Sequence, residues 1–268
     1  MSEKPFTPHP ADARLLEGRR ALVTGGDSGI GQGVCYELAA HGATVAINYL
    51  GQPDEAQRMA GEIEAAGARA VAVAMDVSKE NDVQRAFATA KDAIGGVDLL
   101  VNNAGIERPY PLLDMPLEAW QSVLDVNLTG VFLCAREAAR MMRDERSPGT
   151  IVNISSVHEQ IAWERFSHYC ASKGGMRLFT QSIAKELAPL GIRVVNVAPG
   201  AVDTPINKSV LENPEESAQV LAEIPLGRWG HVADIARAVA WLASEQASYV
   251  TGATLFVDGG MTLYPRFI

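Results

Sequence analysis

Short, nearly continuous apolar runs rich in β-branched residues recur at residues 21–24, 44–48, 70–75, 99–102, 151–154, 193–198 and 254–257. Runs of this length without polar alternation read as strands buried on both faces. Between them, at residues 57–66, 83–94, 117–143, 167–188 and 233–243, apolar positions return with helical spacing, and a further helix starts near Ile30. Strands alternating with helices imply right-handed crossovers and an α/β fold, a doubly wound parallel sheet of seven strands with helices on both faces. A ligand crevice is then expected at the C-terminal ends of the strands.

Composition narrows the picture. A chain of 268 residues with 47% hydrophobic content can bury the core of one large domain, and no linker divides it. Residues 1–17 are polar and contain three prolines, so a loosely ordered arm is expected there, followed by one domain over 18–268. No apolar stretch has the length of a signal peptide or a membrane span, which predicts a cytoplasmic protein without a membrane partner. The net charge of −9, with no basic cluster, excludes nucleic acid as a partner and suits a small-molecule enzyme. Cys35, Cys134 and Cys170 have neither disulfide nor metal-ligand spacing and read as small buried hydrophobes; no metal site is expected.

Two motifs carry chemistry. The first strand runs into Thr24-Gly25-Gly26-Asp27-Ser28-Gly29-Ile30-Gly31 and then a helical pattern. Glycines there let the backbone approach a pyrophosphate, and the N-terminus of the following helix favours the anion. Tyr169 and Lys173 lie four apart on a predicted helix and so share one face, with Ser156 thirteen positions upstream of the tyrosine. A cation beside a phenol favours its ionised form, so Tyr169 could exchange a proton nearer neutral pH. A solvated helix face is the alternative for the pair alone.

Taken together, these segments resemble the classical short-chain dehydrogenases/reductases over nearly the whole chain from about Gly18. Thr24 to Gly31 looks like the family's cofactor loop, Asn102-Asn103-Ala104-Gly105 like its strand-end segment, Asn127 like its helix asparagine, and Pro199-Gly200 like the turn beside the nicotinamide. The resemblance implies a single-domain Rossmann fold, a homotetramer, and a catalytic set of Asn127, Ser156, Tyr169 and Lys173. Ser156 is preferred to Ser155 because the family places its serine thirteen before the tyrosine. It implies a cofactor site of Gly25, Asp27, Ser28, Gly29, Ile30, Gly31, Asn48, Tyr49, Leu50, Asp76, Val77, Asn103, Ala104, Gly105, Tyr169, Lys173, Pro199, Gly200, Val202 and Thr204. Asp76 would accept from the adenine amine or, alternatively, cap the following helix.

Neither a carboxylate nor an arginine stands at Asn48-Tyr49-Leu50, where the adenosine ribose is expected. Without a cationic partner a 2′-phosphate is costly to desolvate, so NAD is the expected cofactor, with NADP left open by the neutral Asn48. The segments around 155–159, 204–207 and 259–265 resemble bacterial glucose 1-dehydrogenases in particular. Glu107, Ser156, His158, Glu159 and Asn207 are the expected contacts to a hydroxylated substrate. Residues 202–224 are expected to close over it as a lid, and residues 261–268 to reach a neighbouring subunit. The rival readings are an NADPH-dependent 3-ketoacyl or other carbonyl reductase, and a nucleotide-binding sensor without turnover.

Overall fold

In the computed structural model, which describes residues 14–263, the seven runs form β1 (Arg20–Val23), β2 (Thr44–Tyr49), β3 (Ala70–Ala74), β4 (Leu99–Asn102), β5 (Gly149–Ile154), β6 (Ile192–Pro199) and β7 (Thr254–Val257). They make one sheet in the order β3-β2-β1-β4-β5-β6-β7, every neighbouring pair parallel. Between them run α1 (Gly29–Ala40), α2 (Asp54–Ala65), α3 (Glu80–Ile94), α4 (Leu117–Leu124), α5 (Gly130–Asp144), α6 (Ser167–Leu187), α7 (Lys208–Leu211), α8 (Pro214–Ala222) and α9 (Val232–Ala243).

Strand side chains alternate between two cores, which is why the runs are apolar throughout. Ala21 and Val23 of β1 face α1, α2 and α9 with Leu38, Met59 and Ile235, whereas Leu22 faces α3, α5 and α6 with Phe87, Met142 and Ala184. Each fully buried Val or Leu of this kind contributes about 2 kcal/mol. Because the chain crosses from β3 back over β1 to β4, the strand order reverses there and a crevice opens at the C-terminal ends of β1 and β4.

Three expectations change. The predicted arm does not extend to residue 17: Leu16 is buried in the core and its amide donates to the His41 carbonyl, while residues 1–13 lie outside the described residues. The single helix expected over 117–143 is split by a π-helical turn, Asp125–Thr129, between α4 and α5. Such a turn admits one extra residue into the helix. Here it holds Asn127 fully buried against the loop after β4. Cys35 and Cys134 are buried as expected, but Cys170 is only half-buried.

The stretch after β6 is not a bare excursion. It holds a 3₁₀ turn at Pro205–Asn207, then α7, then α8, whose first amides donate to the capping Asn213 Oδ1. Its ends are anchored by buried Val202 and Ile224, yet neither α7 nor α8 buries a residue. The tail expected to reach a neighbour lies, from residue 264 onward, outside the described residues.

Candidate active site

The glycine loop is held open by side chains from neighbouring strands. Gly25 and Gly29 take positive φ values of 56° and 51°, which a Cβ would strain. A Cβ on Gly31 would lie 2.1 Å from the Gly25 carbonyl oxygen, so only glycine fits there. The Asn103 amide donates to the Thr24 and Gly25 carbonyls at 3.0 and 2.8 Å, while the Thr24 hydroxyl accepts from the amides of Asn103 and Ala104 at 2.9 and 3.0 Å. Ser28 precedes α1 without capping it through its side chain, and Ser28, Gly29 and Ile30 line the cleft.

Asn48 has a different place from the one expected. It is buried, its Oδ1 accepts from the Gly25 amide at 2.9 Å, and its Nδ2 donates to the carbonyls of Tyr49, Val73 and Met75. With both ends of the amide engaged, it bolts the loop to β2 and β3 and is not free for a ribose. Leu50 beyond it is exposed. Val77 is buried against Gly130 of α5, so it serves the core. Asp76 does not cap α3, whose cap is Lys79; its Oδ1 accepts from the Ser78 amide and hydroxyl at 2.9 and 2.7 Å.

A cavity of about 670 Å³ opens over the strand ends. Gly25, Ser28, Gly29, Ile30, Asn103, Ala104 and Gly105 line one end, with Thr204 where a Cβ on Gly29 would come within 3.6 Å of it, and Ser156, Tyr169, Lys173, Pro199, Gly200 and Val202 line the other. Asp27, Gly31, Asn48, Tyr49, Leu50, Asp76 and Val77 are not in its wall.

At the second end, β5 leads into Ser155 and Ser156, and Ser156 Oγ accepts from the His158 amide at 3.2 Å. Tyr169 and Lys173 face it from α6. Lys173 Nζ donates to the Ile154 carbonyl at 2.8 Å and lies 5.6 Å from the Tyr169 ring centre. Burial lowers the Lys173 pKa to about 8, against the opposing pull of Glu107 and Glu159. For Tyr169 the expected direction is reversed: burial and then Glu107 push the phenol up, while a hydrogen bond with Ser156 pulls it down. Removing the phenolate from water is the largest of these effects.

Asn127 is likewise engaged by protein. Its Oδ1 accepts from the Ile106 amide at 2.8 Å, and its Nδ2 donates to the Ile106 carbonyl at 2.9 Å and the Ser172 hydroxyl at 3.3 Å. It therefore satisfies the backbone of the loop that carries Glu107, the alternative open to any buried asparagine.

Of the expected substrate contacts, Glu107, His158 and Asn207 line the cavity together with Ser156, and Glu159 does not. The Glu159 side chain folds back beneath β5, where its Oε2 accepts from Ser155 Oγ at 2.5 Å. Burial lowers the pKa of His158, which keeps the ring neutral near pH 7; an N–H at Nδ1 meets the Ile161 carbonyl at 3.2 Å, and its ring stacks on Trp163 at 4.5 Å. Burial raises the pKa of Glu107. Sequence reasoning missed Trp163 and Trp229 as wall residues. Both lie in loops, where no periodicity marks an inward side chain.

Comparison with known proteins agrees with this arrangement. A family model described as enoyl-(acyl carrier protein) reductase matches residues 25–262. The chain is 48% identical to 3β-hydroxysteroid dehydrogenase 1 of Eggerthella lenta, covering 94% of this chain and 97% of that one. It is 44% identical to glucose 1-dehydrogenase 2 of Bacillus subtilis, covering 93% and 97%. A solved gluconate 5-dehydrogenase of Burkholderia cenocepacia, in complex with NADP and tartrate, superposes with a TM-score of 0.90 at 36% identity, covering 95% and 99%. Identity of this depth over nearly the full chain, on one shared frame, makes the protein a member of the short-chain dehydrogenase/reductase family, oxidoreductases that bind NAD(P).

Proposed function

We propose that the protein oxidises a ring hydroxyl reversibly, with Tyr169 as the proton acceptor, Ser156 holding the same substrate oxygen and Lys173 sustaining the phenolate. The observation that carries this reading is the convergence of all three side chains on one cavity that continues into the glycine loop. The cradle fits a dinucleotide, since Ser28, Gly29 and Ile30 at the N-terminus of α1 line the cavity without a side-chain cap over the helix start. A bound nicotinamide supplies the acceptor for the hydride leaving the substrate carbon. Gly25, Ser28, Gly29 and Ile30 would hold its pyrophosphate, and Asn103 to Gly105 with Pro199, Gly200, Val202 and Thr204 would line its nicotinamide half. Asn127 acts by fixing the Ile106–Glu107 loop.

NAD is the cofactor we assign. Tyr49 and Leu50 at the end of β2 carry no charge, and the first turn of α2 adds Asp54 and Glu55. The nearest cation, Arg58, is engaged by Glu55 and Glu62.

For the substrate we favour an aldose such as glucose, oxidised to its lactone. Glu107, Asn207 and the free Nε2 of His158 offer acceptors and donors for the hydroxyls of a sugar. A second reading, a 3β-hydroxysteroid, rests on the aliphatic wall of Ile161, Ile206, Val210 and Val220. Residues 202–224 act as a lid, being anchored at both ends with exposed helices between them. We further assign a cytoplasmic homotetramer, its faces supplied by Leu117, Phe132 and Leu178 on α4 to α6 and by Leu255 on the edge strand β7.

The test is the appearance of reduced nicotinamide with D-glucose, using NAD and NADP in parallel, then other aldoses and a 3β-hydroxysteroid. Rapid turnover with glucose and NAD is expected. Turnover with the steroid alone would replace the substrate, and no turnover across alcohols and carbonyls would remove the proposal.

A further inference from the structure

Glu159 stands out as a charged side chain enclosed at the site yet absent from the cavity. Its carboxylate has no solvent exposure. Oε2 accepts from Ser155 Oγ at 2.5 Å and from Asn196 Nδ2 at 3.4 Å, while Oε1 has no hydrogen-bond partner. The nearest cation is Arg177 of α6, whose Nε lies 3.7 Å from Oε1 and whose side chain is 41% exposed. A buried carboxylate with so few donors is costly, and a neutral amide could serve Ser155 equally well. The charge therefore needs a reason beyond local bonding.

Its position supplies one. Glu159 holds Ser155, and the residues on either side of Ser155 reach the site: the Ile154 carbonyl accepts from Lys173 Nζ, and Ser156 lines the cavity with Tyr169. Lys173 and Arg177 lie one helical turn apart on α6, so the carboxylate lies between strand end and helix. The charged or titratable groups facing Lys173 are Glu107 from the loop after β4, Tyr169 from its own helix and Glu159. Those facing Glu159 are Arg177 and Lys173, with Ser155 and Asn196 as neutral donors. We propose that Glu159 is a positioning residue, a buried counter-charge that keeps Lys173 protonated and fixes the Ile154–Ser156 strand end from behind the site. This rests on the dehydrogenase reading insofar as turnover requires cationic Lys173.

The sign follows from the charges. Removing the carboxylate weakens the ammonium, so the fall of kcat/KM at high pH should begin earlier. Removing the Arg177 charge frees the carboxylate to act on Lys173 and should delay that fall. The experiment compares the wild type, Glu159→Gln and Arg177→Gln in two readouts: the pH profile of kcat/KM, and the pH dependence of Lys173 acetylation by acetic anhydride, read by peptide mass spectrometry. We expect both curves to move down by about one pH unit in Glu159→Gln and upward by less in Arg177→Gln, whose melting temperature should stay near wild type. Should Glu159→Gln not fold, Glu159→Asp, which keeps the charge and shortens the reach to Ser155, carries the test: its acetylation curve should stay closer to wild type than that of Ser155→Ala, and a curve displaced downward as far as an uncharged site predicts would overturn the proposal. Coincident acetylation curves in the folded variants would overturn the proposal. Shifted acetylation with an unmoved activity profile would support the counter-charge and overturn the role of Lys173 in turnover.

Discussion

At the β1–β2 end of the cleft, Thr24, Asn48 and Asn103 tie the glycine loop and its flanks to backbone groups at the ends of β2, β3 and β4, with hydrogen bonds of 2.8 to 3.2 Å. At the β5–α6 end, Tyr169, Lys173 and Glu107 are pushed toward their neutral forms by burial, and Glu159 Oε1 has no hydrogen-bond partner. The first end is built to hold a shape. The second is built to hold unsettled charge, which is where proton transfer is expected. The difference teaches that burial alone does not mark a functional polar group, since Asn48 is as buried as Lys173 and has both ends of its amide engaged by backbone.

The comparison can be broken from either side. Tyr169→Phe removes the proposed proton acceptor and keeps the ring, so turnover should fall by about a thousandfold while cofactor affinity, followed by fluorescence titration, stays close to wild type. Comparable turnover would move the chemistry elsewhere. Asn48→Ala removes the acceptor for the Gly25 amide and three donations to β2 and β3. Stability in denaturant titration should drop by about 3 kcal/mol, with cofactor affinity weakened and the pH profile unmoved. A shifted pH profile there would show that the two ends are not separable. The smallest effect is expected from Leu50→Arg, an exposed position beyond β2. It should raise the ratio of NADP to NAD efficiency by about tenfold through a new phosphate partner, and an unchanged ratio would mean that a phosphate pocket already exists.

Much of the frame was legible from local pattern. The apolar run over 99–102 and that over 254–257 match β4 and β7 at both ends, and the others differ by one or two residues at one or both termini. The π-helical turn at Asp125–Thr129 was not legible, because it serves a contact between Asn127 and Ile106 that no local periodicity contains. Asn48 and Glu159 were placed on ligands by their position along the chain, yet both side chains turn into the protein. Leu16, read as part of an arm, is drawn into the core by its own apolar side chain.

The sequence by itself determined the seven parallel strands, the glycine loop and the shared face of Tyr169 and Lys173, since strand burial, positive φ and helical spacing are properties of neighbouring residues. Only the tertiary structure decided that Asn48 bolts the loop, that Glu159 stands behind the site and that the Tyr169 phenol is pushed up. Those outcomes depend on donors, acceptors and excluded water brought from strands and helices distant in the chain.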